Sequence, residues 1–225
     1  TKAQIEQFVM DGDATRAVDE MLQSTRYGER MASDWLDVAR YADTYGYQND
    51  VERPVWPWRD WVVRSFNENL SYADFAMWQI AGDLLPDATL DQQMATAFQR
   101  LHRQTNEGGS IEEEMRLEYV ADRTETFATA FLGMTVGCAR CHDHKIDPIS
   151  IKDYYGLAGI FMSTKTLTKY SVVAEFHEHN LTKEEHQKKW LEVRRLEGEQ
   201  KKKETPKDKK DKLAEEITAL KKGLP

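Results

Sequence analysis

Cysteine is nearly absent from this chain. There are two among 225 residues, Cys138 and Cys141, three positions apart. Thiols that close in sequence cannot staple distant segments, so a disulfide framework is excluded and the pair is local chemistry, a local disulfide included, or incidental. Long apolar runs are missing as well, so no membrane span is expected. Strand-like runs are rare, and the one fair candidate is residues 167–176, LTKYSVVAEF. An excess of positive charge is lacking too. The chain has 31 Lys and Arg against 39 Asp and Glu, a formal charge of −8. Residues 181–225 hold 14 basic and 10 acidic groups, which leaves 17 against 29 in 1–180, or −12. An acidic body of this kind argues against a nucleic-acid partner and suits a basic redox partner. The N-terminus has neither an initiating Met nor the pattern of a signal peptide, and a processed or trimmed chain is expected.

What is present is helical periodicity. Apolar residues recur at three- and four-residue spacing over most of 1–180, which predicts an all-α fold with long loops. Helices are expected at 15–24, 29–43, 58–68, 72–82, 90–101, 111–134 and from Ser150 through Phe161. Met31, Trp35, Val38, Ala39 and Ala42 would share the inner face of the second. Ser71 reads as an N-cap, Ser110 with Glu113 as a capping box, and Ser150 with Asp153 as a weaker one. Pro54 and Pro57 make QNDVERPVWP an irregular loop. After about 180 the chain turns Lys- and Glu-rich, with Pro206 between two helical stretches. Leu191, Leu196, Leu213 and Leu220 are too few for a core but enough for a seam, so 181–225 reads as a helical hairpin or coiled-coil extension or linker.

The cysteines lie in Gly137-Cys138-Ala139-Arg140-Cys141-His142-Asp143-His144-Lys145-Ile146-Asp147-Pro148. Cys-x-x-Cys-His reads as a haem c attachment. Two intervening residues let one helical turn present both sulfurs to the vinyl edge of a porphyrin, and the adjacent His142 can bind the iron axially. Distal candidates are His102, Met134, Met162 and His177; a distal side without a protein ligand is also allowed, and would admit small oxidants. His144 is too near in sequence to reach the far face of the same haem. Other readings stand beside this one. Zinc would need a ligand set that Cys138, Cys141, His142 and His144 crowd badly. A redox dithiol would want a strand before the pair and a βαβ setting.

Trp56, Trp58 and Trp61 fall in one six-residue window and could wall a haem pocket, stack on a sugar or form the core. Asp37, Arg40 and Asp43 form a polar series near the end of one helix, and Arg40 can pair with a carboxylate from another element. Glu118 and Asp122 share a helix face. Such carboxylates could act as acid and base on a saccharide, hold calcium, or form structural ion pairs. No calcium loop, phosphate loop or dinucleotide fingerprint is present.

From about Tyr27 to Phe161 the chain resembles the planctomycete cytochrome-C-like domain, an exported family of unknown function carrying CxxCH. The resemblance rests on Tyr27-Gly28-Glu29-Arg30, WLDVARYADTYGY at 35–47, Arg59-Asp60-Trp61-Val62 and Ala81-Gly82-Asp83. It continues through Asn106-Glu107-Gly108-Gly109, Glu118-Tyr119-Val120-Ala121-Asp122-Arg123, LGMTVGCARCHDHKIDPIS at 132–150 and Asp153-Tyr154-Tyr155. It implies Cys138, Cys141 and His142 as the site of one covalent haem c, in a family typical of exported proteins. With a haem there, the leading expectation is electron transfer with a redox partner, in the periplasm or outside the cell. The resemblance also implies polysaccharide-related machinery as company. Asp37, Arg40, Asp43, His144, Lys145 and Asp147 fall on motif positions without assigned roles, so Asp37, Arg40, Asp43, His144 and Asp147 make up a possible second site. The remaining alternatives are an enzyme acting on saccharides or small oxidants, and a non-haem metal-binding structural or adhesion module holding calcium or zinc.

Overall fold

A computed structural model describes residues 1–46, 50–170, 174–177, 184–201 and 206–222. Among these the chain is mostly α-helical, with one two-stranded sheet. No helix of the described residues is long and apolar enough to cross a membrane. The chain divides into two compact units, Thr1–His177 and Glu178–Pro225.

The first unit opens with α1 (Lys2–Asp11) and α2 (Ala14–Leu22), separated by Gly12 in the left-handed region, φ 62°. Helices α3 (Arg26–Val38) and α4 (Trp56–Asn67) pack against each other. Gly28 permits this crossing, because a Cβ there would collide with the Val63 carbonyl. The Asn67 side chain takes the space and accepts from the Gly28 N–H at 2.8 Å. Helix α3 ends five residues earlier than its periodicity predicts. Met31 and Val38, expected inside, are exposed, while Ala32 and Ala39 are buried.

Helix α5 (Tyr72–Ala81) is capped by Ser71 as expected. Helix α6 (Leu90–Ala95) runs into a 3₁₀ stretch, Thr96–Arg100. The aromatic core joins these elements. Trp35 meets Phe75 edge-on at 5.0 Å between ring centroids, and Trp61 stacks on Phe75 at 5.4 Å. Trp58 and Trp61 are interior, whereas Trp56 is half exposed. Burying such rings is among the largest single contributions to a core.

Helix α7 (Glu112–Phe127) carries the motif residues Glu118 to Arg123. The Ser110–Glu113 capping box does not form: Ile111 takes the N-cap place with no side-chain cap, and the Ser110 hydroxyl donates to the Glu107 carbonyl instead. The helix widens into a π-helical turn, Ala128–Leu132, closed by Gly133 at φ 62°. Helix α8 (Ile151–Ser163) packs on α7 and starts at the expected Ser150–Asp153 capping box. Residues 167–176, expected as one strand, hold two short antiparallel strands, β1 (Leu167–Lys169) and β2 (Glu175–Phe176). Residues 171–173 lie outside the described residues; Leu167 and Ala174 are buried beside Tyr119.

In the second unit α9 (Glu184–Lys201) and α10 (Lys207–Lys221) form a helical hairpin. Val193, Leu196, Leu213 and Ile217 are buried along its seam. Leu191 stays exposed. Lys221 reaches Glu197 at 2.7 Å across the pair.

Candidate functional site at the cysteine turn

Gly137–Arg140 is one turn of 3₁₀ helix. The two residues between the cysteines anchor it. Ala139 is fully buried in a cluster with Val120, Ala128, Val136, Ile149 and Tyr154. Arg140 reaches back to α7 and pairs with Glu118 at 2.6 Å. Its backbone carbonyl accepts from the Tyr155 hydroxyl at 3.1 Å. With Ala139 inward and Arg140 clamped, Cys138 and Cys141 are turned to solvent, both as free thiols.

His142 follows, also exposed. Its Nδ1 lies 2.8 Å from the Asp143 carbonyl oxygen. A carbonyl can only accept, so Nδ1 carries the proton and the neutral ring has its lone pair on Nε2. That nitrogen has no hydrogen-bond partner among the described residues. A metal-binding histidine is commonly oriented this way, with one ring nitrogen tied to a backbone carbonyl and the other left to coordinate.

The next residues are a brace. Asp143 Oδ1 accepts from the Ile151 N–H at 2.8 Å, at the start of α8. His144 N–H donates to the Ile149 carbonyl at 2.8 Å, and His144 Nδ1 accepts from the Asp147 N–H at 2.9 Å. The Asp147 carboxylate lies 3.3 Å from the same nitrogen. Together these bonds hold the loop between the cysteine turn and α8 in one shape.

Beside the turn is a cleft of ≈ 500 Å³ lined by Glu125, Thr129, Thr135, Val136, Cys138 and Arg140. Gly137 makes room for Glu125: a Cβ at that position would stand 3.3 Å from the carboxylate. Glu118, Asp122 and Glu125 share one face of α7, but their charges are handled differently. Glu118 accepts from Arg140 and from Arg103, the latter at 2.8 Å, and these bonds hold its carboxyl below the usual range. Asp122 pairs with Arg40. Glu125 makes no ion pair among the described residues, and burial, with Asp122 beside it, raises its carboxyl above the usual range.

The distal candidates are dispersed in character. His102 is fully buried. Its ring stacks on Tyr119 at 4.9 Å, its Nδ1–H donates to the Arg103 carbonyl at 2.7 Å, and its Nε2 accepts from the Thr166 hydroxyl at 3.0 Å. Burial, with Arg123 nearby, holds it well below its ordinary value, so the ring is neutral. Both nitrogens are used. Met134 is half-buried against the cluster that holds Ala139. Met162 and His177 are exposed.

Among Asp37, Arg40, Asp43, His144 and Asp147, backbone and side-chain bonds join Asp37 with Arg40 and His144 with Asp147. Asp37 is exposed and offers its carbonyl to the Arg40 N–H at 3.0 Å. Arg40 is at φ 60°, in the place after a helix where glycine is favoured, and its neighbour Tyr41 donates to the Leu36 carbonyl at 2.9 Å. Asp43 accepts from the Tyr41 hydroxyl at 2.5 Å. Among the described residues no three His, Cys, Asp or Glu side chains are grouped as a metal ion would need. Glu125 and Thr129 escaped sequence reasoning. The one available signal was the seven-residue step from Glu118 to Glu125, two turns along the same face.

The molecule is thus a mostly helical protein that presents two free thiols and an imidazole on a rigid turn. The chain belongs to the PSCyt2 family, described as a protein of unknown function (DUF1549), whose model matches residues 1–166. The match begins at Thr1, so it takes in α1 and α2, ahead of the Tyr27 start seen in the motifs. No curated protein and no solved structure matches the chain.

Proposed function

We propose that this domain is a c-type haem carrier working in one-electron transfer. One haem would be attached through Cys138 and Cys141, with His142 Nε2 as the proximal ligand. The observation that carries the reading is the His142–Asp143 hydrogen bond. It leaves Nε2 with its lone pair immediately after two free, outward-facing thiols.

The residues present fit the group. Ala139 and Arg140 fix the turn from beneath while both thiols face solvent, which supports attachment along one edge of a porphyrin. Cys138 and Cys141 would hold the group through two thioether bonds, each thiol adding across a vinyl group, so attachment would consume no oxidant. The haem, when bound, supplies cycling between Fe(III) and Fe(II). Asp143 orients the His142 ring, and the brace of His144 and Asp147 keeps that ring in register with the thiols. Met134, Met162 and His177 remain distal candidates; His102 would first have to give up Thr166. On this reading the domain is cytochrome c-like and works in the periplasm or outside the cell, where haem c is attached. Its acidic body suits a basic redox partner.

The test is intact mass with a reduced pyridine-haemochrome spectrum, on protein exported through a host that matures c-type cytochromes. The expected result is the mass of one haem and a c-type spectrum, both lost in Cys138→Ser/Cys141→Ser. Folded protein without added mass, from a host that matures a control cytochrome, would sink the proposal.

A further inference from the structure

Arg53 and Arg123 are buried to the same degree, 5% and 4% exposed, and neither pairs with a carboxylate among the described residues. Arg123 is satisfied all the same. Its Nε, Nη1 and Nη2 donate to the carbonyls of Tyr119, Thr164 and Phe161 at 3.3, 3.1 and 2.8 Å. Arg53 is not. Its Nη2 donates to the Arg100 and His102 carbonyls, the latter at 3.2 Å, but its buried Nε has no hydrogen-bond partner. The guanidinium lies over the Tyr45 and Phe176 rings, 5.3 and 5.9 Å from their centroids. Burial, with the charges of Arg40 and Arg100 nearby, lowers its pKa to about 10, so it stays cationic at neutral pH.

Arg40 is left in a similar condition. Its Nη1 donates to Asp122, but its buried Nε has no partner and its Nη2 makes no hydrogen bond among the described residues. Its backbone is left-handed, φ 60°, a strained conformation for a residue with a Cβ and one that proteins keep mostly at functional positions. Its side chain is 32% exposed, so the two cations open to the surface on this side. Buried donors in folded proteins nearly always have a partner, and buried charge is costly without one.

We propose that Arg40 and Arg53 together bind the carboxylate group of a small molecule. Geometry selects the group: Nε and Nη2 form one edge of the Arg40 guanidinium, and two parallel N–H donors match the two oxygens of a planar carboxylate. Charge selects it as well. Two cations against Asp122 leave one positive charge over, with His102 beside them neutral, and a monoanion balances it. A dianion such as phosphate or sulfate would bring surplus negative charge against Asp122. The carboxylate belongs either to a free acid or to a propionate of the haem proposed above. Both sources present the same two oxygens, and the site does not depend on which one fills it.

The experiment is thermal unfolding of the haem-free full chain at pH 7, in sodium acetate against sodium chloride at equal ionic strength. A saturable rise of the midpoint in acetate, beyond that in chloride, is expected. Arg40→Lys keeps a charge beside Asp122 but lacks the two-nitrogen edge, and should weaken acetate by about tenfold or more. Arg116→Lys changes an arginine paired within α7, with Glu113, and should leave acetate binding as it was. Far-UV circular dichroism checks that each variant is folded. No gain over chloride overturns the proposal. So does a gain that Arg40→Lys leaves intact, or sulfate saturating at a lower concentration than acetate, which would assign the site to a tetrahedral anion. The same titration on haem-loaded chain separates the sources. Acetate excluded there, yet bound by the haem-free chain, identifies a propionate; acetate bound by both identifies a free acid. Since the haem-free chain is measured by itself, failure of haem attachment and failure of this site are distinct results.

Discussion

His102 and His142 make the same local bond and end in opposite states. Each donates Nδ1–H to the carbonyl of the residue after it, at 2.7 and 2.8 Å. At His102 the ring then slides between Tyr119 and Phe176, and Thr166 fills Nε2. At His142 the ring lies on an exposed turn and Nε2 meets no partner among the described residues. Availability is therefore decided by what surrounds the second nitrogen, and not by residue type or by the bond that fixes the tautomer.

The widest contrast between them is in stability. His102→Ala removes a fully buried ring and leaves the Thr166 hydroxyl without its acceptor. A loss of about 2–4 kcal/mol is expected in urea unfolding. His142→Ala should stay within about 0.5 kcal/mol, as for other surface positions. Equal losses in the two variants would show that the cysteine turn is as much a part of the interior as His102 is. A pH series sharpens the point. Because burial depresses the His102 value, its contribution is complete above the ordinary histidine range and drains away as the unfolded chain takes up a proton below about pH 6.5. His102→Gln should flatten that acid limb.

The helical pattern of the chain was legible because it depends on spacing alone, and Ser71 and Ser150 marked helix starts where they stand. Ser110 failed as a cap because its hydroxyl donates to the Glu107 carbonyl three residues back, in a local turn that the cap motif does not encode. Helix α3 ran long in the sequence because Val38, Ala39 and Ala42 keep the apolar spacing going; the turn at Arg40 breaks it against that pattern. At the site, Cys138, Cys141 and His142 could be read directly. The anchors could not. Ala139 is an unremarkable letter until the core around it is known, and Glu125 lies twelve positions upstream of the glycine that clears its space. The pairing of Arg40 with a distant carboxylate was legible in kind, though its partner Asp122 was not.

Arg40 gives the next largest effect. Its left-handed backbone disfavours any residue with a Cβ, so its side chain must compensate through Asp122. Arg40→Ala keeps the backbone strain and loses the pair, while Arg40→Gly loses both. The glycine variant should be the more stable of the two by about 1 kcal/mol in thermal or urea unfolding. In an Asp122→Ala background Arg40→Gly should become stabilising relative to Arg40 itself. Identical unfolding midpoints for the Ala and Gly variants would remove the argument from strain.

Glu118 and Glu125 stand on one helix face and should respond to pH with opposite signs. Arg140 lowers the Glu118 value, so its stabilisation is present above the ordinary carboxylate range and is lost as pH falls through the lowered value. Glu118→Gln should cost about 1 kcal/mol at neutral pH and little in acid. Burial raises the Glu125 value, so its contribution is present below the ordinary range and is lost as pH rises through the raised value. Glu125→Gln should accordingly stabilise the protein at neutral pH, with the gain vanishing in acid. Unfolding of both variants across pH 3–8 separates the cases, and parallel curves would mean that the two carboxylates share one environment after all.

The smallest effect is also the most local. Gly137→Ala lowers the freedom of the unfolded chain, worth about 0.4–1 kcal/mol in favour of the fold. It also sets a methyl 3.3 Å from the Glu125 carboxylate, which must shift by a few tenths of an ångström. The two terms should nearly cancel, leaving the single variant within about 0.5 kcal/mol of the parent. In a Glu125→Ala background the second term disappears, and Gly137→Ala should then be stabilising by the full backbone amount. The coupling measured by this double-mutant cycle is the energetic trace of a glycine making room for a carboxylate beside the first cysteine. If Gly137→Ala stabilises equally in both backgrounds, the carboxylate is free to move aside, and the cleft next to Cys138 is a softer feature than the turn that carries the thiols.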